Sequence, residues 1–280
     1  MIIKCYGARG SIPTSGKQYD KYGGDTTCIK VQSKNDDLIV VDAGTGIRRL
    51  GNELLNSDIK KIHLLFTHVH WDHLLGFPFF KPLFFERFEI HIYACLLNNV
   101  GIEKVIDDAM RAPYFPINRI ALQAKLFFHE LKSNDHIEVG SIKIKPIPLS
   151  HPNGGNGYIF EEDGKKFVFL TDNELGYQHE GCLTYNEYVD YCQDVDLLIH
   201  DAEYTPQEYN KRQTWGHSSY TDTVDLAIKA NVKNLGMFHH NQDRNDKEID
   251  KIIKSSRDII RKQQAKVKCF GSKMGQEISL

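Results

Sequence analysis

Residues 67–73 read Thr-His-Val-His-Trp-Asp-His and directly follow the apolar run 62–66. That run predicts a buried strand, so three histidines and a carboxylate are expected where a strand ends and the chain turns. In α/β proteins, sites are built at the carboxyl ends of strands. Neutral imidazoles and carboxylates are ligands that suit zinc, manganese and iron. A single histidine here could be structural, but four ligand-type side chains within six residues indicate a metal site.

The composition is that of an ordinary soluble protein, with 280 residues of which 41% are hydrophobic and 26% charged. The net charge of −2 offers no electrostatic basis for binding long nucleic acid or an anionic membrane. No segment approaches the roughly 18 apolar residues that a membrane span requires. The amino-terminal residues 1–6 resemble a first strand rather than a secretory signal, and the six cysteines are scattered. A cytoplasmic protein with reduced thiols is expected.

Ligand-type residues recur at four later strand ends. His151 and Asp172 each follow a predicted strand, and similar residues close the strands within 197–203 and 235–240. The four ligand-type residues of 68–73, together with His151, Asp172 and one of the histidines at 239 and 240, give seven candidate ligands. One ion with an open position needs only three protein ligands, so seven suit two ions that share a bridging carboxylate. Such pairs activate water for the hydrolysis of phosphodiesters, esters, thioesters or lactams.

Two further segments are expected to support the site. Asp42, at the end of the predicted strand 37–42, either orients a ligand loop through hydrogen bonds or caps the helix that begins near residue 47. Residues 7–13 read Gly-Ala-Arg-Gly-Ser-Ile-Pro and lack the Lys-Ser/Thr pair of a phosphate-binding loop. They are therefore predicted to shape a loop near the site rather than to bind a nucleotide phosphate.

Residues that could cover the site lie between 76 and 123. The stretch 76–85 is dense in aromatics and proline, and it either stacks on a flat substrate or packs in the core. Residues 101–111 are predicted to be helical and are broken by Ala-Pro-Tyr-Phe-Pro at 112–116. The segment 101–123 is predicted to form a lid. No linker divides the chain, so residues 1–280 are predicted to form a single domain.

The stretch 67–73 resembles the His-x-His-x-Asp-His signature of the metallo-β-lactamase superfamily, and the order of the later ligands is similar to the order in that family. The resemblance implies an α/β fold, the four-layer αβ/βα sandwich in which two mixed sheets face each other under outer helices. It also implies two divalent metal ions, Zn²⁺ first, with Mn²⁺ or Fe²⁺ as alternatives. By this resemblance, one ion would be held by His68, His70 and His151, and the other by Asp72, His73 and His239, with Asp172 bridging them. His239 is preferred to His240 because the last ligand of the family closes its strand directly.

The chain is most similar to the phosphodiesterase branch of that superfamily, which includes ribonuclease Z and the phosphoribosyl cyclic phosphate phosphodiesterases. The segments that carry this resemblance are 10–13, 42–46, 148–151 and 157–158, together with 200–203 and 215–219. The last two resemble the branch's pair of a carboxylate and a non-ligand histidine that protonates the leaving oxygen. His217 would be this acid, with Asp201 as its expected partner and Glu203 in reserve, unless His217 merely caps the helix near 219.

The resemblance thus implies Asp72, His217 and Asp201 as catalytic residues. The expected function is that of a dinuclear metal phosphodiesterase for a small phosphodiester, with a cyclic nucleotide or a ribose cyclic phosphate as the expected substrate. Neither long nucleic acid nor a membrane is an expected partner, and a homodimer is expected from the branch. One alternative is a tRNA 3′-processing endoribonuclease of the ribonuclease Z type, although no glycine-rich arm for gripping tRNA is visible. The other is a non-catalytic nucleotide-binding sensor, which would not need all seven ligands.

Overall fold

A computed structural model describes residues 1–95, 100–132 and 135–280. Within these ranges the chain forms fourteen strands and seven α-helices. The strands are β1 (Ile2–Gly7), β2 (Cys28–Gln32), β3 (Leu38–Val41), β4 (Lys61–Leu65), β5 (Glu89–Cys95), β6 (Lys125–Leu131), β7 (Ile137–Val139), β8 (Ile142–Pro148), β9 (Asn156–Glu162), β10 (Lys165–Leu170), β11 (Leu197–Asp201), β12 (Asn234–Phe238), β13 (Lys268–Gly271) and β14 (Glu277–Ser279). The helices are α1 (Ile47–Leu54), α2 (Trp71–Leu74), α3 (Ile102–Ala109), α4 (Tyr185–Tyr191), α5 (Pro206–Tyr209), α6 (Tyr220–Lys229) and α7 (Asp246–Lys262).

The strands form two mixed sheets of seven strands each, in the orders β14-β1-β2-β3-β4-β5-β6 and β13-β12-β11-β10-β9-β8-β7. Strands β3 to β6 run parallel to one another, and so do β10 to β13. The other neighbours pair antiparallel. The two sheets therefore repeat one arrangement, an antiparallel half joined to a parallel half.

The side chains of strand β3 show how the layers stack. Leu38 and Val40 point outward and pack with the helix α1, whereas Ile39 and Val41 point inward to the core between the sheets. Because a strand alternates its faces, a strand covered on both sides must be apolar throughout, as β3 is. Strand β10 follows the same alternation in the second sheet, with α4, α6 and α7 outside it. Helix, sheet, sheet and helix form the predicted four layers.

The predicted elements agree with the structure apart from small differences at their ends. Helix α7 begins after Asn245, which forms a capping box with Glu248, three residues further on. The proline-rich stretch 76–85 forms only two short 3₁₀ turns, as expected from its prolines. All six cysteines are free thiols. Across the part of the chain described here, no helix has both the length and the apolar character needed to cross a membrane.

The strand ends that carry ligand-type residues meet at one edge of the sandwich. Strands β3 and β4 are parallel in the first sheet, and β8, β10, β11 and β12 all run in one direction in the second. Asp42, Asp172 and His239 follow their strands in the left-handed conformation, with φ of 63°, 49° and 55°. Residues with side chains rarely adopt this conformation, and such strain is concentrated at functional sites.

Candidate metal centre

Seven predicted ligands converge at this edge of the sandwich and form two groups. The first group is His68, His70 and His151, and the second is Asp72, His73, Asp172 and His239. Within each group the ligand-type atoms lie within 4.8 Å of one another. These are the sets that the resemblance assigns to two ions.

Asp172 lies between the two groups. Its Oδ2 is 3.2 Å from Nε2 of His239 in the second group and 3.7 Å from Nε2 of His68 in the first. Its Oδ1 is 3.2 Å from Nε2 of His73. A carboxylate that reaches both groups is in the position of the predicted bridging ligand.

Two ring nitrogens of the cluster have no hydrogen-bond partner in the described part of the chain, and their surroundings suit a metal ion. Nε2 of His68 and Nε2 of His73 are buried and form no hydrogen bond within the described residues. An unsatisfied buried polar atom is costly, and native structures seldom contain one without a ligand or ion nearby. Both nitrogens face Asp172, so the donors present suit divalent cations that prefer nitrogen and oxygen ligands.

The charges of the cluster also favour cations. Burial lowers the pKa of His151 to about 3, so this imidazole is neutral and can ligate at pH 7. Burial would raise the pKa of Asp172, but the neighbouring His239 and His73 hold it well below its usual range. Burial alone would lower the pKa of His73, yet Asp72, Asp172 and Asp42 raise it well above its usual value. The negative charges of these three carboxylates would also attract a divalent cation.

Hydrogen bonds from their Nδ1 atoms orient two of the predicted ligand histidines. His73 donates from Nδ1 to Asp42 Oδ2 over 2.7 Å, and His239 donates from Nδ1 to Glu203 Oε2 over 2.7 Å. Asp42 is fully buried and also accepts from the backbone N–H and the hydroxyl of Thr67, each over 2.7 Å. Of the two roles that the sequence left open for Asp42, the structure shows the orienting one. Such partners fix the tautomer and direction of a ligating imidazole.

His217 lies beside the cluster and pairs with Asp201, not with Glu203. Its Nδ1 donates to Asp201 Oδ2 over 2.7 Å, whereas Glu203 Oε2 is 3.6 Å away and accepts from His239 instead. Helix α6 is capped by the Ser219 side chain, which excludes the capping role for His217. Burial lowers the pKa of His217, but the charges of Glu203 and Asp201 outweigh it and raise the pKa to about 9.

The structure brings His239, the preferred candidate for the last ligand, into the cluster and directs His240 elsewhere. His240 donates from Nε2 to the carbonyl oxygen of Ser272 over 2.8 Å, and burial lowers its pKa to about 3. His239 instead directs Nε2 toward Asp72 Oδ2, at 3.1 Å. The structure therefore places the two adjacent histidines in different surroundings.

Residues 38–240 match the family described as the beta-lactamase superfamily domain. The chain belongs to this superfamily. The ribonuclease Z of Haloarcula marismortui is 23% identical over 93% of this chain and 92% of its own length. The ribonuclease Z of Sulfurisphaera tokodaii is 26% identical over 79% of this chain and 83% of its own.

Solved structures share the superfamily fold over almost the whole chain. The metallo-β-lactamase fold protein YhfI from Bacillus subtilis has a TM-score of 0.72 at 15% identity, covering 99% of this chain and 98% of that one. A diphosphatase from the PhnP family has a TM-score of 0.66 at 20% identity, covering 100% and 97%. The short form of human tRNase Z has a TM-score of 0.66 at 18% identity, covering 100% and 99%.

These similarities confirm three predictions from the sequence. They confirm the metallo-β-lactamase superfamily, and the curated relatives named ribonuclease Z agree with the predicted branch. They also confirm the four-layer fold and the class of enzyme, a hydrolase of this superfamily.

In this member of the superfamily, the loop of residues 7–13 shapes the site as predicted. The backbone N–H of Ser11 donates to Asp72 Oδ2 over 2.8 Å. Gly10 lies against the ring of His239, where an added Cβ would come within 2.3 Å of the imidazole. Arg9 is fully buried and donates to the carbonyl oxygen of Asn241 over 3.1 Å, which holds the chain that follows His239.

Glu174 is a site residue that the sequence reasoning missed. It is buried, and its Oε1 accepts from Tyr209 Oη at 2.8 Å and from the backbone N–H of Thr214 at 2.7 Å. Its Oε2 accepts from the backbone N–H of Gly216 at 2.7 Å and from His179 Nε2 at 3.1 Å. The only signal in the sequence is its position two residues after Asp172.

Gly216 connects this carboxylate to the ligands. Its carbonyl oxygen accepts from His151 Nδ1 over 2.8 Å, and its φ of 89° is in the left-handed region. A Cβ at this position would come within 2.1 Å of His151 Nδ1. Glycine is therefore required next to the predicted ligand His151. By accepting the hydrogen bond from Gly216, Glu174 positions both His151 and the adjacent His217.

The metal cluster opens into a pocket of about 340 Å³, called the metal pocket here. It is lined by Ser11, Val69, His70, Trp71, Asp72, Asp172, His217 and His239. His217 thus faces the same space as the ligands. The room suffices for a small substrate and a water molecule.

The aromatic stretch 76–85 mainly packs in the core and does not line this pocket. Phe77 and Phe80 are fully buried against the first sheet. Phe79 is exposed and packs edge-on against Phe115, with ring centroids 5.7 Å apart. By contrast, Tyr114 of the predicted lid segment borders a cavity next to the site. The lid role of 101–123 stays a prediction.

Proposed function

We propose that this chain is a dinuclear metal phosphodiesterase that hydrolyses a small phosphodiester, either a cyclic nucleotide or a ribose cyclic phosphate. The observation that carries the proposal is the meeting of two ligand groups at Asp172 with the His217–Asp201 pair in one pocket. Two-ion sites suit displacement at phosphorus because the ions stabilise both the attacking and the leaving oxygen. The relatives named ribonuclease Z and the diphosphatase of the PhnP family support this class of chemistry.

The proposed ligands are the seven residues that the sequence indicates. His68, His70 and His151 would hold one ion, and Asp72, His73 and His239 the other, with Asp172 between them. Divalent cations in these places supply an activated water and polarise the phosphodiester. Zn²⁺ is the proposed ion, with Mn²⁺ and Fe²⁺ as alternatives, because imidazole and carboxylate ligands suit all three.

His217 is the proposed general acid. Its Nδ1 is committed to Asp201, which leaves Nε2 to donate a proton to the departing oxygen. Asp201 is fully buried, so it fixes the tautomer of the imidazole and stabilises its protonated form. Asp72 is proposed to contribute to catalysis as a metal-ligating carboxylate that faces the pocket and accepts a hydrogen bond from the backbone N–H of Ser11.

A panel of substrates tests the function. Purified protein would be assayed with 2′,3′- and 3′,5′-cyclic nucleotides and ribose cyclic phosphates, with zinc and with manganese. Turnover of at least one class is expected, and the metal that supports it identifies the working ion. No turnover of any member, with an intact metal content, would contradict the proposal.

Removal of His217 should separate substrates by their leaving groups. His217→Ala is expected to retain both metals yet slow a substrate with an alkoxide leaving group about 100-fold, in the range of general acid catalysis. Bis-p-nitrophenyl phosphate should lose far less because its leaving group hardly needs a proton. His136→Ala, at a histidine outside the metal pocket, is the matched control. Equal losses on both substrates would remove His217 as the acid.

A tRNA 3′-processing endoribonuclease is the second candidate, since the curated relatives that match most of the chain are named ribonuclease Z. The net charge of −2 argues against it, because tRNA binding draws on positive charge. Specific cleavage of a precursor tRNA, with binding that weakens steeply as salt rises, would favour it over the small-substrate reading.

A further inference from the structure

A second cavity adjoins the metal pocket. This aromatic cavity has a volume of about 450 Å³. One wall consists of Val69, Trp71 and Leu74, and the opposite wall consists of residues of α3 and Tyr114 in the turn that follows it. Val69 and Trp71 line both this cavity and the metal pocket, so the two spaces are neighbours that share these side chains.

Trp71 and Tyr114, the two large aromatic side chains that line the aromatic cavity, are mostly exposed and not packed in the core. Trp71 is 64% exposed and Tyr114 is 75% exposed. Trp71 stands between the proposed ligands His70 and Asp72 in the chain. Exposed apolar surface beside a reactive centre indicates a binding site for part of a ligand. A group stacked on Trp71 would therefore lie beside the two proposed ligands that flank Trp71 in the chain.

The charges at the rim of the cavity are already paired. Arg111 Nη1 lies 3.4 Å from Asp108 Oδ1, and Lys104 Nζ lies 2.5 Å from the other carboxylate oxygen of Asp108. None of the eight residues that line the cavity is serine, threonine, asparagine or glutamine. Six of the eight lining residues offer ring faces or aliphatic surface, and the two charged ones, Asp108 and Arg111, are paired with each other.

We propose that the aromatic cavity is the base subsite of the enzyme and takes the nucleobase of a nucleotide phosphodiester. The phosphate would lie in the metal pocket, and this half of the assignment rests on the proposed function. A planar base stacks well on aromatic side chains, and such stacking tolerates any base because every base has a π-face. The subsite should therefore select nucleotides over base-free ribose phosphates while discriminating little among the four bases.

The test compares binding of a nucleotide with binding of the same phosphate without its base. Adenosine 5′-monophosphate and ribose 5-phosphate would be titrated by calorimetry into wild-type protein and into Trp71→Ala and Tyr114→Ala. Each variant is expected to raise the Kd of the nucleotide about tenfold and that of ribose 5-phosphate less than about twofold, since only one ligand stacks. Trp71→Phe and Tyr114→Phe should retain most of the nucleotide affinity because each keeps a ring.

Controls separate the subsite from general damage. Ile120→Ala removes an apolar side chain that is 88% exposed on the same segment but outside the cavity, and it should bind both ligands as wild type does. Because Trp71 adjoins two proposed ligands, the metal content of its variants is measured as well. Tyr114 lies outside the ligand stretch, so its variants test the subsite even if Trp71→Ala loses metal.

The outcomes distinguish this inference from the proposed function. Equal effects on both ligands, or none, in the Tyr114 variants would overturn the base subsite while leaving phosphodiester hydrolysis untouched. Base-dependent binding in a protein that hydrolyses no phosphodiester would support the subsite and overturn the proposed function. Selective loss of nucleotide binding, with a raised KM for cyclic nucleotides and an unchanged kcat/KM for ribose cyclic phosphates, would support both.

Discussion

His217 owes its protonated state to its neighbours. The residue is buried, which alone would lower the pKa of its imidazole, yet Glu203 and Asp201 raise that pKa to about 9. Of these two carboxylates, Glu203 also holds the proposed ligand His239, whereas Asp201 contacts His217 alone among the histidines of the site. Asp201 is therefore the residue through which the acid can be tuned without displacing a ligand.

Asp201→Asn should move the alkaline limit of activity toward lower pH. A general acid works only while protonated, and removing an adjacent negative charge lowers the pKa of an imidazole by roughly one to two units. Turnover of a substrate with a poor leaving group should then fall at a correspondingly lower pH, as measured by the pH dependence of kcat. The limit for bis-p-nitrophenyl phosphate should hardly move. An unchanged limit on both substrates would show that His217 does not carry the transferred proton.

Candidate ligands could be named from the sequence, but the spacing of residues could not decide among the candidates for their supporting partners. His151 and Asp172 stand at strand ends, and strand ends are visible as the close of an apolar run. The choice of Asp201 over Glu203 as the partner of His217 depends on how the turn after β11 directs two carboxylates two residues apart. Tertiary contacts set that direction, so the spacing of the two carboxylates in the sequence does not decide which of them pairs with His217.

At the scale of elements, Glu174 fastens the loop that ends at His217 to the strand end that carries Asp172. It receives the side chain of Tyr209 from the end of α5 and the backbone N–H groups of Thr214 and Gly216. The loop has no regular structure between α5 and α6, so its course depends on hydrogen bonds such as these. Glu174 is accordingly a positioning residue for the acid.

Glu174→Gln should weaken turnover through His217. An amide group replaces one of the two accepting oxygens with a donor, so either Gly216 or Thr214 loses its partner. We expect kcat to fall about tenfold with a smaller change in KM, as for a modest displacement of a catalytic group. In the double variant with His217→Ala, the added loss should shrink to the part that acts through His151, because the part that acts through His217 is already lost. Glu180→Gln, at an exposed carboxylate six residues on, is the control, and full additivity in the double variant would reduce Glu174 to a structural role.

The elements themselves were largely predictable, and the reason is visible in β3 and α7. A strand covered on both faces must be apolar throughout, and a helix on the surface must show one apolar face, so both leave periodic signals. Short turns such as Phe77–Phe79 leave no such signal beyond their prolines. The burial of Phe77 rather than its use in the pocket therefore emerges only from the packed structure.

At the scale of the whole molecule, each proposed ion would draw ligands from both sheets. His68 and His70 follow β4 of the first sheet, and His151 follows β8 of the second. The other group likewise combines Asp72 and His73 with residues that follow β10 and β12. The ions would thus join the two halves of the sandwich at one edge, where the core between the sheets ends. The predicted homodimer is a separate matter and stays a prediction.

Removal of the ions should therefore lower the stability of the whole fold. A ligand that binds only the folded state at about 100 times its Kd adds about 2.7 kcal/mol to the free energy of unfolding. For a chain of this size, that corresponds to a fall in Tm of roughly 5–10 °C per site when a chelator is added, measured by scanning calorimetry.

Ligand variants divide that shift between the two sites. His151→Ala removes one ligand of the first group only, so a chelator should lower its Tm by about half as much as it lowers the Tm of wild type. Asp172→Asn weakens the residue that both groups share and should leave almost no shift, whereas His136→Ala should retain all of it. Since metal is absent from every chelated sample, the differences between variants report binding and not the cost of the substitution itself. A shift that is the same in all three variants would mean that the ions bind somewhere other than between the sheets.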